Sequence, residues 1–126
     1  MTIGQVTQVS IPYPSTWNLH ASVGGRPLTS GTLHITAVVN NKISGAVNYR
    51  GTLIPIQGYW NENTKQITFD SPYASYVGNL TIFDEPQIAV RHYVLRGSLI
   101  MKPPSIRAGE RGTWVATTDI RLTGQM

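Results

Sequence analysis

Apolar and polar residues alternate with a period of two along most of this chain. The first clear run covers residues 17–23, where Trp17, Leu19, Ala21 and Val23 are separated by polar side chains, and a second covers residues 33–39. Successive side chains of a strand point to opposite faces, so this pattern is typical of half-buried strands. No longer window shows the period of an amphipathic helix. The alternation therefore predicts an all-β fold.

Turn residues such as Asn40-Asn41 and Asp84-Glu85-Pro86 divide the chain into eight segments of this kind. The predicted strands cover residues 17–23, 33–39, 43–50, 52–61, 66–71, 76–83, 88–101 and 113–123. Short antiparallel strands with short connections favour an up-and-down barrel, because closure removes the exposed strand edges. We therefore expect an eight-stranded antiparallel β-barrel, with a two-sheet β-sandwich as the alternative.

The length of 126 residues fits one domain, and we assign residues 1–126 to it, with an irregular N-terminal segment at residues 1–14. The chain has no cysteine, which excludes disulfides, zinc–thiolate sites and thiol nucleophiles. The sequence shows neither a signal peptide at its start nor an apolar run of about twenty residues that could span a membrane. We expect a soluble, cytoplasmic protein.

The charge pattern argues against nucleic acid as the partner. The net charge is +4, but only 13% of the residues are charged, where about a quarter is typical. The arginines are scattered along the chain, whereas a nucleic-acid surface clusters basic residues with aromatic ones. Low charge leaves much uncharged surface, which favours self-association. We therefore expect a homo-oligomer.

A barrel of eight strands has an interior that is either filled by side chains or holds one small ligand. The alternation predicts that both small and large residues point inward: Ala21, Ala37, Gly45, Gly58 and Ala116, beside Trp17, Tyr49, Trp60 and Trp114. This mixture is compatible with a lined cavity at one end and also with a solid core. The sequence leaves the two alternatives open.

Four segments resemble a known group of proteins. They are Thr16-Trp17-Asn18, the pair Ile43-Ser-Gly-Ala-Val and Ile56-Gln-Gly-Tyr-Trp60, and Trp114-Val-Ala-Thr-Thr118 followed by Asp119. In order and spacing they resemble the calycin barrels, and the avidins are the nearest in layout. The resemblance implies a ligand-binding barrel in which Trp17 packs at the closed end against Arg121, as a structural pair.

The avidin resemblance also implies a site at the open end. In that reading, Asp119 is the carboxylate that accepts a hydrogen bond from the ligand, and Trp60 and Trp114 are wall residues. Together with Tyr49 and Arg96 they form the candidate ligand-binding set. The chain departs from the avidins after Asn18, where Leu19-His20-Ala21-Ser22 replaces the Leu-Gly-Ser segment that grips biotin, so biotin is not the expected ligand.

The histidines and carboxylates suggest no metal site and no catalytic site. A hairpin centred near Pro27 would place His20 opposite His34, but no third metal ligand stands at a suitable spacing. Among the carboxylates, only Asp70 and Asp119 fall on predicted strands, and no nucleophile–base pattern accompanies them. We predict no metal, no cofactor and no catalytic residue.

Three functions remain as hypotheses. The first is a barrel that binds a small apolar or amphipathic molecule, with the candidate site described above. The alternative is a non-catalytic interaction or scaffolding barrel with a filled interior that self-associates. A small barrel enzyme, an isomerase or a hydrolase, is the second alternative, because such folds host catalysis in some proteins.

Overall fold

The computed structural model describes residues 10–27, 30–49 and 51–122. The strands are β1 (Ser15–Val23), β2 (Arg26–Pro27), β3 (Gly31–Val39), β4 (Lys42–Tyr49), β5 (Thr52–Asn61), β6 (Gln66–Asp70), β7 (Ala74–Glu85), β8 (Val90–Met101) and β9 (Arg111–Arg121). A short 3-10 helix, Pro86–Ile88, joins β7 to β8. Residues 1–9 of the predicted irregular segment, and the predicted strand ends at Arg50 and Thr123, lie outside the described residues.

The strands form one closed barrel. Each strand from β3 to β8 pairs antiparallel with the next along the chain, β1 pairs with β3, and β1 also pairs with β9. The two-residue β2 pairs antiparallel with the last two residues of β1, Ser22 and Val23. Eight strands therefore enclose the interior in up-and-down order, and the predicted fold class is confirmed.

Aromatic side chains fill the interior of the barrel. Trp17, Trp60 and Trp114 are all fully buried. The Phe69 ring stacks on the Tyr76 ring at a centroid distance of 4.5 Å, and the Trp114 ring meets these two edge-on at 5.5 and 5.8 Å. Burying each large apolar side chain stabilises the fold by about 1.5–3 kcal/mol. These rings and the buried aliphatic side chains form one apolar core inside the barrel.

The position of Trp114 depends on a glycine and on two backbone acceptors. A Cβ atom at Gly78 would lie 2.6 Å from Cζ2 of Trp114, so the indole occupies the space of a missing side chain. The indole N–H is shared between the carbonyl oxygens of Val77, at 3.1 Å, and Ser98, at 3.0 Å. A buried N–H without a partner is costly, so this arrangement fixes the ring in one orientation.

A β-bulge in β3 overturns one predicted inward position. Ile35 pairs with Gly45, but the next pair is Ala37 with Ser44, so one residue is inserted between them. The insertion reverses the alternation, which buries Val38 and leaves Val39 62% exposed. The prediction that Ala37 points into the barrel is wrong, because a two-residue period does not anticipate a bulge.

The two histidines near the first hairpin are not opposite each other. The β1–β3 register pairs Thr16 with His34, which centres the hairpin at Gly25 instead of Pro27 and shifts each partner by four residues. Oγ1 of Thr16 lies 3.2 Å from Nδ1 of His34, and Oγ of Ser30 lies 3.0 Å from Nδ1 of His20. The predicted pairing of His20 with His34 is wrong.

Candidate functional site

The structure does not bring the five predicted ligand-binding residues together. Trp60 and Trp114 are buried in the core, where their rings are packed on all sides. Arg96 and Asp119 are exposed and point outward from β8 and β9, because their neighbours along each strand point inward. Tyr49 alone lies at one end of the barrel. No single pocket therefore includes the whole set.

Trp17 and Arg121, the predicted structural pair, lie on β1 and β9. Trp17 is buried at the start of β1, its indole N–H donates to Oγ of Ser15 at 2.8 Å, and its ring meets the Tyr93 ring edge-on at 6.2 Å. Arg121 is exposed at the end of β9, opposite Val90. The packing of Trp17 against Arg121 stays a prediction.

A small crevice opens at the end of the barrel where Tyr49 lies. It has a volume of about 140 Å³, and its lining is mostly apolar. The Tyr49 and Tyr76 hydroxyl groups meet in it, with their oxygens 3.4 Å apart. Burial raises the pKa of both phenols, and that of Tyr49 by the larger amount. Two neutral hydroxyls therefore stand in an apolar setting, which suits a very small ligand better than a drug-sized one.

A hydrogen-bonded carboxylate fastens the N-terminal segment to the core. Glu62 accepts hydrogen bonds from the Trp60 indole at 2.7 Å, from the Lys65 ammonium at 2.6 Å, and from the Ser10 backbone N–H at 2.7 Å and hydroxyl. Burial raises its pKa, but these donors outweigh burial and lower the pKa of Glu62 to about 2. The fully buried Ile11 follows Ser10 directly, so Glu62 holds this segment against the barrel.

β7 and β8 continue beyond the body of the barrel. The pairing of β6 with β7 ends at Gln66 and Asn79, whereas β7 stays paired with β8 up to Glu85 and Val90. β9 pairs with β8 along the same length and ends at Arg121. These strand ends form a three-stranded projection, which we call the extension: residues 80–85 of β7, 90–95 of β8 and 118–121 of β9.

One edge of the extension has no strand beside it among the described residues. The Leu80 N–H still reaches the Lys65 carbonyl at 2.8 Å, and the pairing stops there. The N–H and C=O groups of alternate residues point to the same side of a strand, so those of Ile82 and Asp84 face this open edge. We call the segment from Thr81 to Glu85 the β7 edge. Such an edge is a template for pairing with another strand.

The β7 edge exposes apolar side chains. Ile82 is 37% exposed, Phe83 is 49% exposed, and Ile88 is exposed at the tip beside them. The Phe83 ring lies 4.9 Å from the His92 ring on the outer face of the extension. Ile82 and Phe83 are thus two adjacent exposed apolar residues on the β7 edge, and the charged residues Asp84 and Glu85 follow them.

Ion pairs within the extension compensate its own charges. Arg91 donates two hydrogen bonds to Asp84, at 2.7 and 3.0 Å, and these lower the pKa of Asp84. The two ring nitrogens of His92 lie 2.6 Å from carboxylate oxygens of Glu85 and Asp119, and these hydrogen bonds raise the pKa of His92. The protonated imidazole donates from both nitrogens, so it joins β7 to β9 across β8.

The sequence contained one signal for the extension. Ile82-Phe83 breaks the two-residue alternation just before the Asp84-Glu85-Pro86 turn, and a pair of this kind cannot be buried on one face of a strand. The excess length of β7 over β6 gave no signal, because it follows from the register of the folded sheet. The predicted strand at residues 88–101 begins at Val90, since Pro86–Ile88 forms the 3-10 turn.

Among the residues that the structure describes, no three histidine or carboxylate side chains are grouped in a way that could hold a metal ion. Likewise, none of the described helical segments is long and apolar enough to cross a membrane. Comparison with known proteins found no matching family model, no similar curated protein and no similar solved structure.

Proposed function

We propose that this protein is a non-catalytic interaction barrel that self-associates through the β7 edge. The observation that carries the proposal is the β7 edge, which has no strand beside it among the described residues and presents Ile82 and Phe83 to solvent. The aromatic core supports it, because a filled interior leaves the outer surface as the place for binding. Low charge across the whole chain supports it as well.

A second copy of this chain fits the β7 edge in one register. A two-fold axis through Phe83 places Ile82 of one copy opposite Asp84 of the other, and the two residues of each pair exchange both backbone hydrogen bonds. This register uses the groups that face the open edge and leaves the Leu80 N–H bonded to Lys65. It also brings the two Phe83 rings side by side, where aromatic cross-strand pairs are favourable.

The charges of the extension are compatible with this pairing. Asp84 is held by Arg91, and Glu85 accepts a hydrogen bond from the protonated His92, so both carboxylates already have a donor within the extension. The contact is limited to one strand and a few side chains, which is small compared with a stable interface. We therefore expect a reversible dimer whose population depends on concentration.

Sedimentation velocity over a concentration series tests the proposal with a charged substitution on the edge. Ile82→Lys places an unpaired cation where the two strands would meet, so this variant should stay monomeric while the natural protein dimerises. Val39→Lys is the control, because Val39 is also apolar and is more exposed than Ile82, at 62% against 37%, but lies in the β3–β4 hairpin. A natural protein that is monomeric at every concentration, or an Ile82→Lys variant that still dimerises, contradicts the proposal.

A second candidate function rests on the crevice beside Tyr49. We propose that it binds a very small apolar molecule, which keeps the calycin-like expectation of a ligand at the open end of the barrel. An engineered apolar cavity of about 150 Å³ binds benzene, so a crevice of about 140 Å³ is large enough for one ring. Benzene titration followed by NMR should shift the signals of Ala74 and Met101, which line the crevice, and Met101→Trp should abolish the shifts by filling it.

A further inference from the structure

The outer face of β4, β5 and β6 is a polar surface around one exposed aromatic ring. Tyr59 points outward between the inward-facing Gly58 and Trp60, and 61% of its surface is exposed. It pairs with Lys42 on one side and with Thr68 on the other. The ring therefore stands in the middle of this face, with hydrogen-bonding side chains on both neighbouring strands.

Two open grooves meet at Tyr59. One has a volume of about 920 Å³ and also includes Gln57, Asp70 and Lys102. The other has a volume of about 530 Å³ and continues past Tyr59 to a group of amides at the β3–β4 and β5–β6 turns, namely Asn41, Asn61, Asn63 and Gln66. Tyr59 and Thr68 line both grooves. Together they form one extended groove, which we call the Tyr59 groove.

Gly58 explains how β5 and β6 lie so close together beneath the Tyr59 groove. A Cβ atom at Gly58 would be 1.9 Å from the Thr68 carbonyl oxygen and 2.5 Å from the Phe69 Cα. Only glycine allows this approach. A side chain at this position would push the two strands apart and separate Tyr59 from Thr68.

We propose that the Tyr59 groove binds an oligosaccharide. A sugar ring has an apolar C–H face that stacks on an aromatic ring, and its edges carry hydroxyl groups that both donate and accept. Amide side chains match these hydroxyl groups, because each amide offers donors and an acceptor in fixed geometry. Gln57 and Gln66 make no side-chain hydrogen bond with other described residues, so both amides remain free to bind such a ligand.

The charge of the groove argues against the other polymers that stack on aromatic rings. A strand of nucleic acid needs a row of cations along its phosphates. Here, Lys102 lies 3.8 Å from Asp70, which compensates part of the positive charge. A peptide would need apolar pockets for its side chains, and this groove is lined mainly by polar ones. The composition of the groove is therefore closest to that of a sugar site.

A printed array of defined glycans tests the proposal, followed by calorimetry with the glycan that is retained best. Tyr59→Ala should weaken binding by about tenfold or more, because it removes the stacking surface. Tyr59→Phe keeps the ring and should retain most of the affinity. Leu53→Ala is the matched control, since Leu53 is equally exposed on the same face of β5 but lies outside both grooves.

Three outcomes would overturn the proposal. The array retains no glycan, or Tyr59→Ala binds as tightly as Leu53→Ala, or the protein binds single-stranded DNA or a random peptide pool in a Tyr59-dependent manner while no glycan binds. Thermal unfolding of each variant separates loss of binding from loss of fold. The test is independent of dimerisation, because the Tyr59 groove contains no residue of the extension.

Discussion

The barrel body and the extension are made from the same kind of strand, yet they bury their aromatic residues to very different degrees. In the body, Trp114 is enclosed by Phe69 and Tyr76 and donates its N–H to two backbone carbonyls. In the extension, Phe83 lies against His92 on one side and is 49% exposed. The body has a partner for every strand, whereas the extension has an edge without one among the described residues.

This difference shows how a closed sheet can still offer a place for strand pairing. Closure protects the strands only over the length that all of them share, and β7 and β8 are longer than β6. The surplus length lies outside the ring of hydrogen bonds and behaves as an ordinary sheet edge. In this account the stability of the protein comes from the body, and its interactions come from the surfaces outside the core.

The largest expected contrast is between truncating an aromatic residue in each region. Trp114→Ala should lower the free energy of unfolding by about 3–5 kcal/mol, because it leaves a cavity under Gly78. Phe83→Ala should change it by less than about 0.5 kcal/mol but should weaken dimerisation. Chemical denaturation of both variants at low protein concentration measures the change in the free energy of unfolding. A similar loss of stability in the two variants would contradict the distinction between the regions.

The next largest effect is expected at Glu62. Glu62→Ala leaves the buried indole N–H of Trp60 without its acceptor and should lower the free energy of unfolding by about 1–3 kcal/mol. Asp84→Ala, which removes an exposed carboxylate of the extension, should have a smaller effect. Urea denaturation compares the two variants. Equal losses would mean that Glu62 does not fasten the N-terminal segment to the core.

The stability of the protein in acid should depend on the same carboxylate, Glu62. The pKa of Glu62 falls from an ordinary value of 4.5 to about 2 on folding, so its contribution is complete above pH 4.5 and is lost as the pH falls toward 2. The melting temperature of the natural protein should therefore decrease more steeply over this range than that of Glu62→Ala. Parallel curves for the two proteins would show that the hydrogen bonds do not lower the pKa of Glu62.

The smallest expected effect concerns His92 in the extension. Its pKa is raised by Glu85 and Asp119, so its ion pairs are present below the ordinary value of 6.5 and are lost as the pH rises through the raised value. Raising the pH above the raised pKa of His92 should therefore weaken dimerisation, by no more than about fivefold. NMR titration of the imidazole and sedimentation at several pH values measure the two effects. A His92 pKa below 6.5 would contradict this geometry.

The strands could be predicted from the sequence better than the site could. The two-residue alternation specified the number of strands and their order, because each strand has one face in the core. It failed at Ala37, where a bulge reverses the faces, and at His20 and His34, where the centre of the hairpin depends on turn geometry. Three of the five candidate site residues, Trp60, Trp114 and Asp119, rest on a resemblance that carries no register, and register is what places Trp60 inside the core and Asp119 outside.

Native mass spectrometry of the protein as purified tests the central claim most directly, since it measures subunit number and retained small molecules together. If the barrel is filled and associates through the β7 edge, we expect a concentration-dependent species at twice the chain mass of 13.8 kDa, with no additional mass from a bound molecule. A strictly monomeric chain that carries a small molecule, released on denaturation, would contradict that account and would favour a ligand-binding barrel.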